Sequence, residues 1–95
     1  MDIERFIWLP SVVDKILGKH NVSPEEVEEV FYSRPMVRFH EKGRIQGENM
    51  YAAFGQTESG RYITVLYILK QQRQALVISA RDMNSIERKR YERKK

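Results

Sequence analysis

The sequence predicts an α+β fold in one domain over residues 1–95, with elements in the order β-α-α-β-β-β-β-α and an antiparallel sheet packed by helices. Three observations predict it. Before Pro35, apolar residues recur at helical spacing in two segments. After Pro35 the period changes to two, in runs joined by short turns, which implies an antiparallel meander. The chain then ends on Ser85-Ile86-Glu87-Arg88-Lys89-Arg90-Tyr91, a basic helix that follows a buried strand.

Each element has its own reason. Ile3 to Trp8 suits a short first strand, and Pro10 sits well at a first helical position. Val12, Val13, Ile16 and Leu17 then form one apolar stripe, and Gly18 to Asn21 ends that helix. Ser23-Pro24-Glu25-Glu26 combines an N-cap serine, a first-turn proline and a glutamate placed to close a capping box. Val27, Val30 and Phe31 bury one side of the second helix, while Glu25, Glu26, Glu28 and Glu29 form its acidic outer face. Val37 and Phe39 alternate with Arg38 and His40, as in a half-buried strand. Gly43 to Gly47 reads as a loop, Asn49 to Phe54 as the next strand, and Gly55 to Gly60 as a turn. Arg61 to Leu69 is apolar on both faces, hence central in the sheet; Lys70 to Gln74 is a polar turn and Ala75 to Arg81 the last strand. Asn84 or Ser85 caps the final helix, and its Ile86 and Tyr91 require it to dock on the sheet.

Composition narrows the function classes. An apolar content of 41% suits a folded core. With no cysteine there is neither a disulfide framework nor a thiolate zinc site. No basic segment followed by an apolar run opens the chain, and the run Tyr62 to Leu69 is too short to cross a bilayer. The expectation is a cytoplasmic protein with no membrane partner. His20 and His40 lie on different elements without a partner at ligand spacing, so no metal and no cofactor are expected. Gly55 to Gly60 matches neither a phosphate loop nor a dinucleotide fingerprint, and no serine sits in a nucleophile elbow.

Charge carries the positive signal. Residues 81–95 hold seven Lys/Arg against three acids and net +4, while residues 1–80 hold ten of each sign. A neutral body with one strongly basic element is the footprint of a protein that meets a polyanion, although a solvated tail has the same composition. Glu87, Arg88 and Tyr91 are spaced i, i+1, i+4 on that helix, and Arg81 ends the strand leading into it. Such groups could converge on a phosphodiester: RNA cleaves itself when its 2′-hydroxyl is held in line with the adjacent phosphate, given a cation and groups that move protons. The same residues also suit structure, with Tyr91 closing the core, Glu87 pairing with Arg90 along the helix and His20 at a helix C-terminus.

Several blocks occur in a fixed order with characteristic gaps: Phe6-x-Trp8-x-Pro10, Lys19-His20-x-Val22-Ser23-x-Glu25-Glu26, Val30-Phe31, Gly47-Glu48, Gly60-Arg61, Ile78-Ser79-Ala80-Arg81 and Glu87-Arg88-x-x-Tyr91. Over nearly its whole length the chain resembles the BrnT-type toxins, small ribonucleases of bacterial type II toxin–antitoxin modules. The resemblance implies a RelE-like fold and metal-independent endoribonuclease activity that inhibits translation. The RNA would be free or ribosome-associated. It also implies an antitoxin that covers the toxin and brings the complex to operator DNA. Carried onto this chain, Arg61 and Arg81 hold the scissile phosphate, Tyr91 and Glu87 position or exchange protons, and Lys19, His20, Arg88 and Arg90 bind RNA. This sequence departs from the pattern at Leu9, Val12 and Ile16, where the family usually has Asp, Lys and Asn, and at Met50, where it usually has Arg. Two functions therefore stand beside each other: a ribonuclease toxin, and an RNA- or protein-binding module on the same fold that has lost catalysis.

Overall fold

Helix starts are written as hydrogen bonds in this chain. In the computed structural model, which describes residues 3–44 and 47–94, Ser23 Oγ accepts from the Glu26 amide at 3.1 Å, and Glu26 Oε1 accepts from the Ser23 amide at 3.0 Å. This capping box opens α2 (Pro24–Tyr32) as the sequence predicts. Helix α1 (Pro10–His20) begins at its proline and runs through Gly18. It stops where Asn21 adopts φ 52°, a left-handed conformation that asparagine tolerates. Its buried stripe is narrower than expected, Val12 and Ile16 alone, and Leu17 is exposed.

The strands are β1 (Arg5–Ile7), β2 (Met36–Glu41), β3 (Met50–Gln56), β4 (Tyr62–Lys70) and β5 (Gln74–Asp82), and α3 (Ser85–Lys94) follows. They form one sheet in the order β1-β5-β4-β3-β2, with β4 central as predicted. β2 to β5 form the expected antiparallel meander. The sheet is nonetheless mixed: β1 pairs parallel to β5, with Phe6 opposite Ala75. The meander leaves the edge of β5 open, and β1, separated from it by most of the chain, fills that edge in the direction its link to α1 dictates. Gly55 belongs to β3 and not to the turn, because it pairs with Ile63. A Cβ there would sit 2.9 Å from Ser33 Oγ and 3.0 Å from Val30 Cγ1, so glycine lets the end of α2 lie close on β3. The expected Gly43–Gly47 loop falls partly, and Lys95 of the basic end wholly, outside the described residues.

Helices cover both faces of the sheet. Val12, Ile16, Val27 and Val30 pack with Ala53, Ile63, Val65, Tyr67 and Val77 to form the main core on the α1/α2 face. On the opposite face Tyr91 of α3 meets Ala52 and Phe54, with Met36, Tyr62 and Leu66 around them. Tyr91 is thus the residue that docks α3, while Ile86, expected to share that task, is 62% exposed. Among the described residues no helix is long and apolar enough to cross a membrane.

Candidate nucleic-acid interface

The side chains singled out in the sequence separate onto two faces of the sheet. Arg81 lies opposite Thr64, and Asp82 opposite Ile63, so neighbouring residues of β5 point to opposite faces. Asp82 and Arg61 look toward α1 and α2; Arg81 and Thr64 look toward α3. A single site containing both Arg61 and Arg81 is therefore not what the chain builds.

Arg61 is a clamp. Its Nε donates to Asp82 Oδ1 at 2.8 Å, Nη1 to the Asn21 carbonyl at 2.6 Å and Nη2 to the His20 carbonyl at 2.9 Å; Glu26 lies 3.3 Å away. The guanidinium thus ties the α1 C-terminus and the α2 capping box to β4 and β5. Hydrogen bonding to Asp82 pushes the Arg61 pKa up, and the same contact holds Asp82 below its usual range. Lys19 and His20 stand at the α1 C-terminus beside this clamp, away from α3. Lys15 is committed as well. A bulge at Leu66/Tyr67 shifts the register of β5, and Lys15 Nζ donates to the Ile78 carbonyl there at 2.8 Å. The departures at Val12 and Ile16 have a packing role here, since both are buried in the main core.

On the other face, Arg81 grips Glu87 with both ends of its fork, at 2.7 and 2.8 Å. Glu87 also accepts from Thr64 Oγ1 at 3.1 Å and from the Asn84 amide at 3.0 Å, and its own amide donates to Asn84 Oδ1 at 2.8 Å. Asn84 and Glu87 thus form a capping arrangement at the start of α3. The hydrogen bonds from Arg81 bring the Glu87 pKa down to about 2, against the opposing effect of burial. The carboxylate is ionised and a poor proton acceptor near neutral pH. Tyr91 lies 5.9 Å from Tyr62, edge to face, and burial raises its phenol pKa, so it stays protonated. Arg88 stacks 4.0 Å over the Tyr62 ring, whose hydroxyl donates to Glu92.

Between α3 and the edge strand β2 runs a groove. Met36 and Arg38 of β2 line it opposite Arg90, with His40, Ala52, Phe54 and Glu87 at one end. Arg93 and Lys94 line its wider part, of about 490 Å³. Four cationic side chains from two elements thus flank an apolar floor, and the one carboxylate present, Glu87, is neutralised by Arg81. Arg90 is the only one of the predicted RNA-binding residues that lines it. Arg38 and His40 were missed as site residues, although the alternation of β2 placed them on one face. What was lacking was knowledge of which face α3 covers.

This arrangement can hold a chain of phosphates against cations while an apolar floor meets flat groups between them. Comparison with curated proteins gives no match. Residues 8–87, which include Arg61, Arg81 and Glu87, match the family model described as "Ribonuclease toxin, BrnT, of type II toxin-antitoxin system". With most of its length matched, and with a cationic groove suited to RNA, the chain belongs to the BrnT family of ribonuclease toxins of type II toxin–antitoxin systems.

Proposed function

We propose that this protein is an active, metal-independent endoribonuclease toxin that binds single-stranded RNA in the groove between β2 and α3, cleaves it to inhibit translation, and is held inactive by a cognate antitoxin. The observation that carries this reading is the groove, where Arg38 faces Arg90, with Arg93 and Lys94 beyond them, over Met36, Ala52 and Phe54. Opposed cations suit a phosphate backbone, and the apolar floor of Met36, Ala52 and Phe54 suits the bases. In this reading Arg81 and Glu87 brace α3 against the sheet and set the groove's width, and Tyr91 is the hinge of that docking. Lys19, His20 and Arg61 lie on the far face and take no direct part. An antitoxin with acidic side chains would silence the toxin by covering Arg90, Arg93 and Lys94.

The noncatalytic binding module remains the second reading, and one observation favours it: Arg81 and Glu87 consume each other's hydrogen-bonding capacity. A direct assay separates the two. Purified protein should cleave a single-stranded RNA in the presence of a chelator, and its expression without the antitoxin should arrest bacterial growth. RNA binding without cleavage, and no arrest, would establish the binding module.

A further inference from the structure

Resting on the ribonuclease reading, we infer that His40 is the proton-transfer residue of the RNA-cleaving site. The first ground is backbone geometry. In the β2–β3 ladder Phe39 pairs with Tyr51 and Glu41 pairs with Met50, so no β3 residue lies opposite His40. It is the extra residue of a β-bulge, a device that re-aims a side chain and is over-represented beside active sites. The second ground is place. Strand alternation puts His40 on the face of Arg38, at the end of the groove, where it shares the wall with Arg38 of its own strand and with Glu87 and Arg90 of α3.

The third ground is that three other candidate proton carriers are engaged. Glu87 is held by Arg81, Tyr91 is packed in the second core, and Lys15 is bonded to the Ile78 carbonyl. His40 is different. Its Nε2 lies 3.9 Å from Glu41 Oε1, beyond hydrogen-bond length, and its side chain is half exposed. Imidazole is the one side chain whose ordinary titration lets it take and release a proton near neutral pH. The charged groups facing it are Arg38 and Glu41 from β2 and Glu87 and Arg90 from α3.

The step balances without a co-reactant. A ring nitrogen of His40 takes the proton of a ribose 2′-hydroxyl, and that oxygen forms a bond to the adjacent phosphorus. The bond from phosphorus to the 5′-oxygen breaks. The leaving oxygen takes a proton from water, and the hydroxide so formed recovers the proton from His40. Arg38 and Arg90 stabilise the charge that develops on the phosphoryl oxygens. The products are a 2′,3′-cyclic phosphate and a 5′-hydroxyl.

The test uses the full chain and a fluorescent single-stranded RNA, with cleavage and binding measured separately. His40→Gln should lower the cleavage rate at saturating protein by about 10²–10⁴-fold while leaving the Kd for RNA within about threefold. His40→Ala should regain rate on addition of free imidazole, and the acidic limb of the wild-type pH–rate profile should vanish in both variants. Because His40 is on the surface, thermal unfolding of the variants should match wild type, which excludes misfolding as the cause. Wild type that cleaves RNA alongside a His40→Gln variant within threefold of its rate would overturn the assignment and leave the ribonuclease reading standing. A loss of affinity in place of rate would also overturn it. Wild type that cleaves nothing would overturn both.

Discussion

The ion pair that seats α3 makes a quantitative prediction. Glu87→Gln removes the charge but keeps an oxygen able to accept from the Asn84 amide, so it isolates the electrostatic part of the contact. The Glu87 pKa falls from its ordinary 4.5 to about 2 in the folded protein. At about 1.4 kcal/mol per pH unit, that gap is worth about 3 kcal/mol. The side chain of Glu87 is 19% exposed and that of Arg81 37%, so water screens part of the attraction, and about 2 kcal/mol is expected at pH 7. For a chain of this size the Tm of Glu87→Gln should fall by about 8–16 °C. The pH dependence follows from the sign. A carboxylate with a depressed folded pKa contributes fully above its unfolded value and loses the contribution as pH falls through the folded one. The gap between wild type and variant should therefore be constant above about pH 5.5, and close to about 40% of its neutral value by pH 3. Urea unfolding of both proteins at pH 7, 5 and 3 measures it. Equal stability at pH 7, or a gap that does not close in acid, would show that Arg81 and Glu87 do not secure α3 as argued.

Other expectations follow from the separation of the two faces. Arg61→Ala should cost about 2–4 kcal/mol in urea unfolding, because it leaves Glu26, Asp82 and the carbonyls of His20 and Asn21 without their shared donor. Protein of that variant still folded at low temperature should bind RNA as wild type does. Arg38→Ala and Arg90→Ala should each reduce the slope of log affinity against log salt by about 0.7, as for one phosphate contact on a single strand. Arg88→Ala, whose guanidinium rests on Tyr62, should leave that slope unchanged.

Helix starts, strand runs and the basic end of the chain were legible because they are local. A capping box needs four adjacent residues, as Ser23 and Glu26 show, and the period-two pattern of Val37 to His40 needs only neighbours along one strand. The antiparallel meander followed as well, since short turns leave a strand little choice but to fold back on the last. The family resemblance rested on the same ordered blocks, and the model match over residues 8–87 agrees with it. Three things were settled only by tertiary structure. β1 closes onto β5 in parallel across most of the chain, a pairing with no local signal. Arg61 and Arg81, both strand-end arginines in the sequence, fall on opposite faces because the pairing of β4 with β5 fixes their parity. His40 lines a groove only because α3 docks opposite it, and that docking depends on Tyr91 finding Ala52 and Phe54. A lone side chain's chemistry is read from its type. Its partners are set by which face it occupies, and faces are assigned when strands pair and helices choose a side.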